Sequence, residues 1–206
     1  LCAALVAFAS IASGGIAGTL DWSTRPSTNL IATSDVVTID GTTITTSGAF
    51  FGSSGNRVMQ VFPTSTYNTH TGVIGMQMDA TTDNGSAYAT ITFQFSRPVK
   101  DLTFTVADID GGTGGNWNDR VEFSPVPSLV SKGSNVSYNG TTGVATANGA
   151  SISGTQGDLR IRFPNALTSV TVKWVASNAS GSNPDNQIIF IDDLTYIAVP
   201  LVALQK

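Results

Sequence analysis

Residues 100–123 read KDLTFTVADIDGGTGGNWNDRVEF and predict a strand, a polar loop and a second strand. Leu102, Phe104 and Val106 alternate with polar residues, which is the period of a half-buried strand. Val121 and Phe123 repeat this pattern after the loop. The loop combines glycines with five side chains that carry oxygen ligands: Asp108, Asp110, Asn116, Asn118 and Asp119. We therefore look for a chemical site here first.

The same alternation recurs through most of the chain. It predicts a hairpin over residues 36–47, with Asp40-Gly41 at the turn. Further strands are predicted at 57–62, 73–79, 87–95 (ended by Arg97-Pro98), 158–163, 169–175 and 187–197, with a meander of short strands over 128–153. The polar segment 63–72 is predicted as a loop. No helical period follows residue 20, so we predict an all-β fold, a two-sheet antiparallel sandwich of jelly-roll type.

The composition favours an exported β-protein and argues against nucleic acid as a partner. Only 12% of the 206 residues are charged, and Glu122 is the one glutamate. The chain has a net charge of −4 and no basic stripe, whereas nucleic-acid binding depends on clustered lysine and arginine. A surface rich in Thr, Ser, Asn and Gly is common in secreted bacterial β-proteins, and the length suits one domain.

Residues 1–12, LCAALVAFASIA, form an apolar run that is too short to span a bilayer. The run is typical of a signal peptide, with Ser10-Ile11-Ala12 as its cleavage site. Alternatively it is retained, and it then either packs on its own domain or adds as a strand to the sheet of a neighbouring copy. The C-terminal residues 199–206, VPLVALQK, are the other candidate for the added strand. The residues expected to carry that assembly are Leu5, Val6, Phe8 and Ile11.

We divide the chain into three parts: an apolar segment with a glycine joint (1–18), a β-sandwich domain (19–200) and a tail (201–206). Residues 14–18 form the flexible joint. Cys2 is the single cysteine, so no intrachain disulfide forms. We favour an ordinary apolar residue of the signal segment over a lipid-modified or free thiol at this position.

The oxygen-rich loop predicts a calcium site. Asp108 and Asp110 lie two residues apart and share one side of a strand end, while Asn116, Asn118 and Asp119 return from the loop. Either residue of a later acidic pair, Asp192 and Asp193, joins them if the last strand pairs beside this one. The alternative is that these side chains cap turns through their own backbone.

The sequence also contains candidate residues for sugar binding and for catalysis. Trp117 lies in the Gly/Asn loop, where it is a candidate for stacking on a sugar, although a plug at the end of the sandwich is the preferred interpretation. Trp22 and Trp174 are predicted to be core residues. We do not expect an enzyme, because the one histidine, His70, has no nucleophile signature near it and the chain lacks phosphate-loop and zinc-site spacings.

Four segments resemble bacterial secreted surface proteins sorted by exosortases, of the PEP-CTERM and IPTL-CTERM kind. They are TLDWST (19–24), VTIDGTTIT (37–45), FTVADIDG with WNDRVEF (104–123), and IIFIDDLTYIAVP (188–200). The resemblance implies an all-β envelope or matrix protein and no defined enzymatic activity. Residues 201–206, LVALQK, contain none of the Pro-Glu-Pro motif, membrane-length helix or arginine cluster of the family's sorting tail.

The sequence as a whole predicts an extracellular structural or adhesive protein at the surface or in the matrix of a bacterium. We expect copies of the chain to be its partners, with polysaccharide as a further one, and no membrane span in the sequence given. The alternative is a calcium-dependent carbohydrate-binding module.

Overall fold

The computed structural model describes residues 14–52, 54–67, 69–80, 87–112, 118–150, 154–177 and 187–200. These residues form β-strands and one turn of 3-10 helix, Trp22–Thr24. The strands are β1 (Ile16–Leu20), β2 (Asp35–Ile39), β3 (Thr42–Phe51), β4 (Ser54–Tyr67), β5 (His70–Ala80), β6 (Tyr88–Ala107), β7 (Asn118–Ser124), β8 (Ser128–Lys132), β9 (Val136–Asn139), β10 (Val144–Ala147), β11 (Leu159–Phe163), β12 (Leu167–Ser177), β13 (Gln187–Ile191) and β14 (Leu194–Ala198). In this part of the chain no helix has the length and apolar character needed to cross a membrane.

Hydrogen bonds connect all 14 strands into one curled sheet, and every pairing between them is antiparallel. Its main path runs β4-β5-β13-β6-β12-β7-β10-β9. The predicted all-β antiparallel fold is confirmed. Three short strands, β8, β9 and β10, lie in the segment where a meander was expected, but only β9 and β10 pair with each other, whereas β8 pairs with β11.

The longest strand, β6, organises the sheet. Its first half pairs with β3 and β12, and its second half pairs with β11, β13 and β14. The prediction that Arg97-Pro98 ends a strand was wrong, because β6 continues through both residues. Pro98 lacks an N–H, but its carbonyl accepts a hydrogen bond from Val199 N at 2.9 Å, and the change of partners occurs here.

Aromatic side chains from both halves of β6 meet in the core. Phe93 and Phe104 lie with their ring centroids 5.9 Å apart, and Trp22 lies 6.2 Å from Phe93. Trp22 and Trp174 are both fully buried, so the prediction that they are core residues is confirmed.

The hairpin between β2 and β3 is confirmed, with its turn at Asp40-Gly41. Both residues have positive φ, 48° and 74°, as a two-residue turn that matches the twist of its strands requires. The loop predicted over 63–72 was wrong. Cross-strand pairs Thr66–Thr71 and Tyr67–His70 continue the β4–β5 ladder through this segment, because polar side chains on the solvent face do not prevent strand pairing.

Both ends of the domain differ from expectation. Ile16, Ala17 and Gly18, placed in the flexible joint by the sequence, belong to β1 and pair with β14. The last predicted strand divides at Asp192-Asp193 into β13 and β14, which lie in succession along the same long strand β6.

Candidate functional site

Acidic side chains meet where β6, β7, β11 and β13 begin or end, and they form two neighbouring groups. The first contains Asp108, Asp110 and Asp119, all singled out from the sequence. The second is centred on His70, which bridges Asp158, just before β11, and Asp192, just after β13. The two groups are close enough for the negative charge of Asp158, in the second group, to raise the pKa of Asp108.

Asp119 is the most deeply buried carboxyl group of the first group, with 1% of its surface exposed. One of its oxygens, Oδ1, accepts a hydrogen bond from Trp174 Nε1 at 2.9 Å, and Oδ2 accepts one from Asp110 N at 3.1 Å. Asp119 N in turn donates to Asp110 O at 2.9 Å. Burial raises the pKa of Asp119 well above its usual value. Asp119 thus ties the loop after β6 to β7 and β12.

Asp108 leaves β6 with a positive φ of 67°, a backbone conformation that aspartate tolerates better than most residues. Burial raises the pKa of its carboxyl group to about 6, although a hydrogen bond with Tyr67 has the opposite effect. The negative charges of Asp110 and Asp158 also raise this pKa. The structure therefore brings together Asp108, Asp110 and Asp119, as the sequence predicted.

His70, the first residue of β5, bonds to a carboxylate through each ring nitrogen. Nε2 lies 3.0 Å from Asp158 Oδ2, and Nδ1 lies 2.8 Å from Asp192 Oδ2. The hydrogen bond with Asp158, then that with Asp192, raises the pKa of His70 to about 10 despite the opposing effect of burial. The imidazolium therefore stays charged at neutral pH, and neither nitrogen keeps a free lone pair to act as a general base.

Asp192 and Asp193 take separate partners. Asp192 N donates to Thr105 O at 3.0 Å, so the last strands do pair beside β6 as the calcium prediction required. Burial alone would raise the pKa of Asp192, but the hydrogen bond from His70 holds it below its usual value. Asp193 Oδ1 accepts a hydrogen bond from Trp22 N at 2.9 Å, and burial raises the pKa of Asp193 to about 6.

The calcium site stays a prediction. Across the described ranges, no three His, Cys, Asp or Glu side chains are arranged to hold a metal ion. Asn118 begins β7 at the edge of the loop, whereas Asn116 and Trp117 lie outside the described residues, as do Leu5, Val6, Phe8 and Ile11. The described geometry of Asp119 fits the alternative, a carboxyl group that fixes a turn.

Sequence reasoning missed the bridge formed by His70, Asp158 and Asp192. Its one signal was that a chain so poor in charge carries a single histidine at the head of an alternating run. Asp158 precedes β11 and lies 88 residues from His70 in sequence, so only the strand pairing brings them together.

No family model, curated protein or solved structure matches this chain.

Proposed function

We propose that this chain is a secreted structural or adhesive protein of a bacterial surface, and that its copies assemble by strand addition. The single observation that carries this proposal is strand β8. All five of its residues are exposed, and it pairs only with β11 within the described residues. Leu129 and Val130 are 43% and 50% exposed; Leu129 pairs with Ile161, and Val130 is the extra residue of a bulge in the pairing with β11.

An edge of this kind is a ready acceptor for another strand. Natural proteins usually protect such edges with prolines, charged side chains, β-bulges or covering segments. β8 has a bulge opposite Arg160 and Ile161 and the charge of Lys132, but no other described strand pairs with its outer edge. The edge of β4, by contrast, is covered in part by the segment before β2. Leu30 N donates to Met59 O at 2.8 Å, and Val61 N donates to Thr28 O at 3.1 Å.

The donor in this proposal is the apolar segment 1–12, which precedes β1. The strands run β1-β14-β6-β11-β8, and Thr103 of β6 pairs with both Arg162 of β11 and Thr195 of β14. The donor therefore leaves from one edge of this five-strand run, and the acceptor β8 forms the opposite edge. A contact between opposite edges is head-to-tail, and it extends into an open fibre unless its rotation closes a ring.

The proposed fold of the subunit is a two-layer jelly-roll sandwich, with β6 passing from one layer to the other. The contact between Phe93 and Phe104 supports this arrangement, because they lie on different halves of the same strand. Such a sandwich leaves the backbone groups of its outermost strands available for pairing.

Sedimentation of the full chain tests the assembly. We expect large polymers for the wild type and a folded small species for a variant that lacks residues 1–12. Leu129→Asp combined with Val130→Asp should also prevent polymers, whereas Val36→Asp, at an exposed apolar position of β2, is the matched control and should not. Polymers that persist in either the deletion or the β8 variant would refute the proposal.

The second candidate is a calcium-dependent carbohydrate-binding module. It draws on the convergence of Asp108, Asp110 and Asp119 beside the glycine-rich loop. A module of this kind should sediment as a small species, and a polysaccharide column should retain it in calcium and release it in chelator.

A further inference from the structure

A polar trough follows the outer face of the run β1-β14-β6-β11-β8. Three cavities of about 520, 190 and 560 Å³ lie along it, and Arg160 lines all three. On β6 the floor includes Asp101, Thr103 and Thr105, which alternate with buried residues. At about 3.4 Å per residue these positions span roughly 14 Å, so the trough suits an extended ligand better than a single small ion.

Four aspartates line the trough, and each has a partner: Asp101 pairs with Arg162, Asp158 and Asp192 pair with His70, and Asp193 accepts a hydrogen bond from Trp22 N. Hydroxyl groups also line the walls. They can donate or accept hydrogen bonds, which suits a ligand that itself carries many hydroxyl groups. The side chains that supply them come from four strands and one turn: Thr19, Thr103, Thr105, Ser131, Thr155 and Thr195.

Arg160 supplies a cation that no carboxylate holds. Its side chain is exposed, and it makes no hydrogen bond or ion pair with the described residues, although its charge helps to lower the pKa of Asp192. Arg162, two residues along the same strand, differs because Asp101 Oδ1 accepts from its Nη2 at 2.5 Å. Lys132 also lacks a carboxylate partner, since its Nζ donates to Val136 O at 2.6 Å.

We propose that this trough binds an acidic polysaccharide, with Arg160 pairing a uronate carboxylate and the threonine and serine hydroxyls contacting the sugar hydroxyls. Arginine is suited to this role because its planar guanidinium can donate two parallel hydrogen bonds to one carboxylate. The site takes one wall from β8 and shares Asp192 and Asp193 with the calcium prediction, but Arg160 belongs to neither of those proposals.

Affinity electrophoresis through gels that contain polygalacturonate tests the proposal, with dextran gels as the neutral comparison. The buffer contains a chelator, so that calcium cannot bridge protein and polymer. We expect polygalacturonate to retard the full-length wild type and dextran to leave it unretarded. Arg160→Gln should weaken the retardation at least tenfold. Arg120→Gln is the matched control, because it removes one exposed arginine that pairs with Glu122 outside the trough, and it should bind like the wild type.

Three results would overturn the assignment. They are the absence of retardation of the wild type, equal retardation by dextran and polygalacturonate, and equal loss in Arg160→Gln and Arg120→Gln. The last result would mean that net charge, rather than the trough, governs binding. Retardation of the variant lacking residues 1–12 is measured in parallel, so a failure of assembly is distinguished from a failure of the trough.

Discussion

Replacing His70 with glutamine should remove most of the pH dependence of stability between pH 7 and 9. In the folded protein the pKa of His70 is raised from 6.5 to about 10. Folding therefore favours the protonated ring. The stabilisation is fully present below pH 6.5, and it is lost as the pH rises through about 10.

The expected size follows from proton linkage. A group that is charged when folded and neutral when unfolded changes the free energy of unfolding by up to about 1.4 kcal/mol per pH unit. From pH 7 to 9 this slope gives a loss of stability of up to about 2.7 kcal/mol. Because His70 and its two aspartates are partly exposed, screening by water reduces the expected loss to about 2 kcal/mol. His70→Gln should be nearly flat over this range, because glutamine does not titrate.

Urea unfolding at pH 7, 8 and 9 measures this difference. Arg25→Gln is the matched control, because it removes another ion pair, with the buried Asp35 at 2.8 Å, and leaves His70 in place. It should lower stability equally at each pH and preserve the wild-type slope. Asp158→Asn should flatten the slope more than Asp192→Asn, since the hydrogen bond with Asp158 is the largest cause of the raised pKa. Equal slopes for the wild type and His70→Gln would refute the reasoning.

Three further predictions concern packing and metal binding. Trp174→Phe removes the indole donor to buried Asp119, and urea unfolding should show a loss of about 2–4 kcal/mol; a loss below 1 would contradict the assigned contact. Gly133→Ala places a Cβ 2.1 Å from a backbone oxygen and should cost about 3 kcal/mol or more, whereas Gly149→Ala, with nothing within 4 Å, should change stability by less than about 0.5 kcal/mol; similar losses would contradict the close approach. Calcium should give calorimetric heat and raise the melting temperature, and Asp110→Asn should reduce both; no heat from the chelator-treated wild type would contradict the site.

Local alternation predicted most of the strands because a half-buried strand marks its two faces in the order of its residues. The prediction was wrong where the preference of a single residue or a polar segment was outweighed by hydrogen bonds to a neighbouring strand. Pro98 was expected to end a strand, but the ladder changes partners there and continues. The segment 63–72 was expected to be a loop, but its polar residues pair across β4 and β5. Neither outcome can be derived without the neighbouring strands.

The candidate site also has a part that the sequence predicted and a part that it did not. Asp108, Asp110 and Asp119 flank one short loop, so their closeness followed from sequence distance. His70 begins β5, Asp158 precedes β11 and Asp192 follows β13. The two aspartates lie 88 and 122 residues from His70 in sequence, so their contact depends on the register of the sheet. The sequence also suggested that the aspartate carboxylates were available to bind an ion. It could not show that Trp174, Trp22 and His70 would donate hydrogen bonds to them.

Strand β8 connects the two proposals. Val130, Ser131 and Lys132 form one wall of the trough, and the free edge of the same strand is the proposed acceptor for a donor strand. A donor paired to β8 would extend that wall and fix the exposed strand in place, so an acidic polysaccharide should bind the assembled protein more tightly than the single copy. Linkage then requires the reverse, that the polysaccharide favours assembly by the same factor. An edge exposed along its whole length promotes aggregation of a solitary domain. In a matrix of protein and acidic polymer, the same edge would couple assembly of the protein to binding of the polymer.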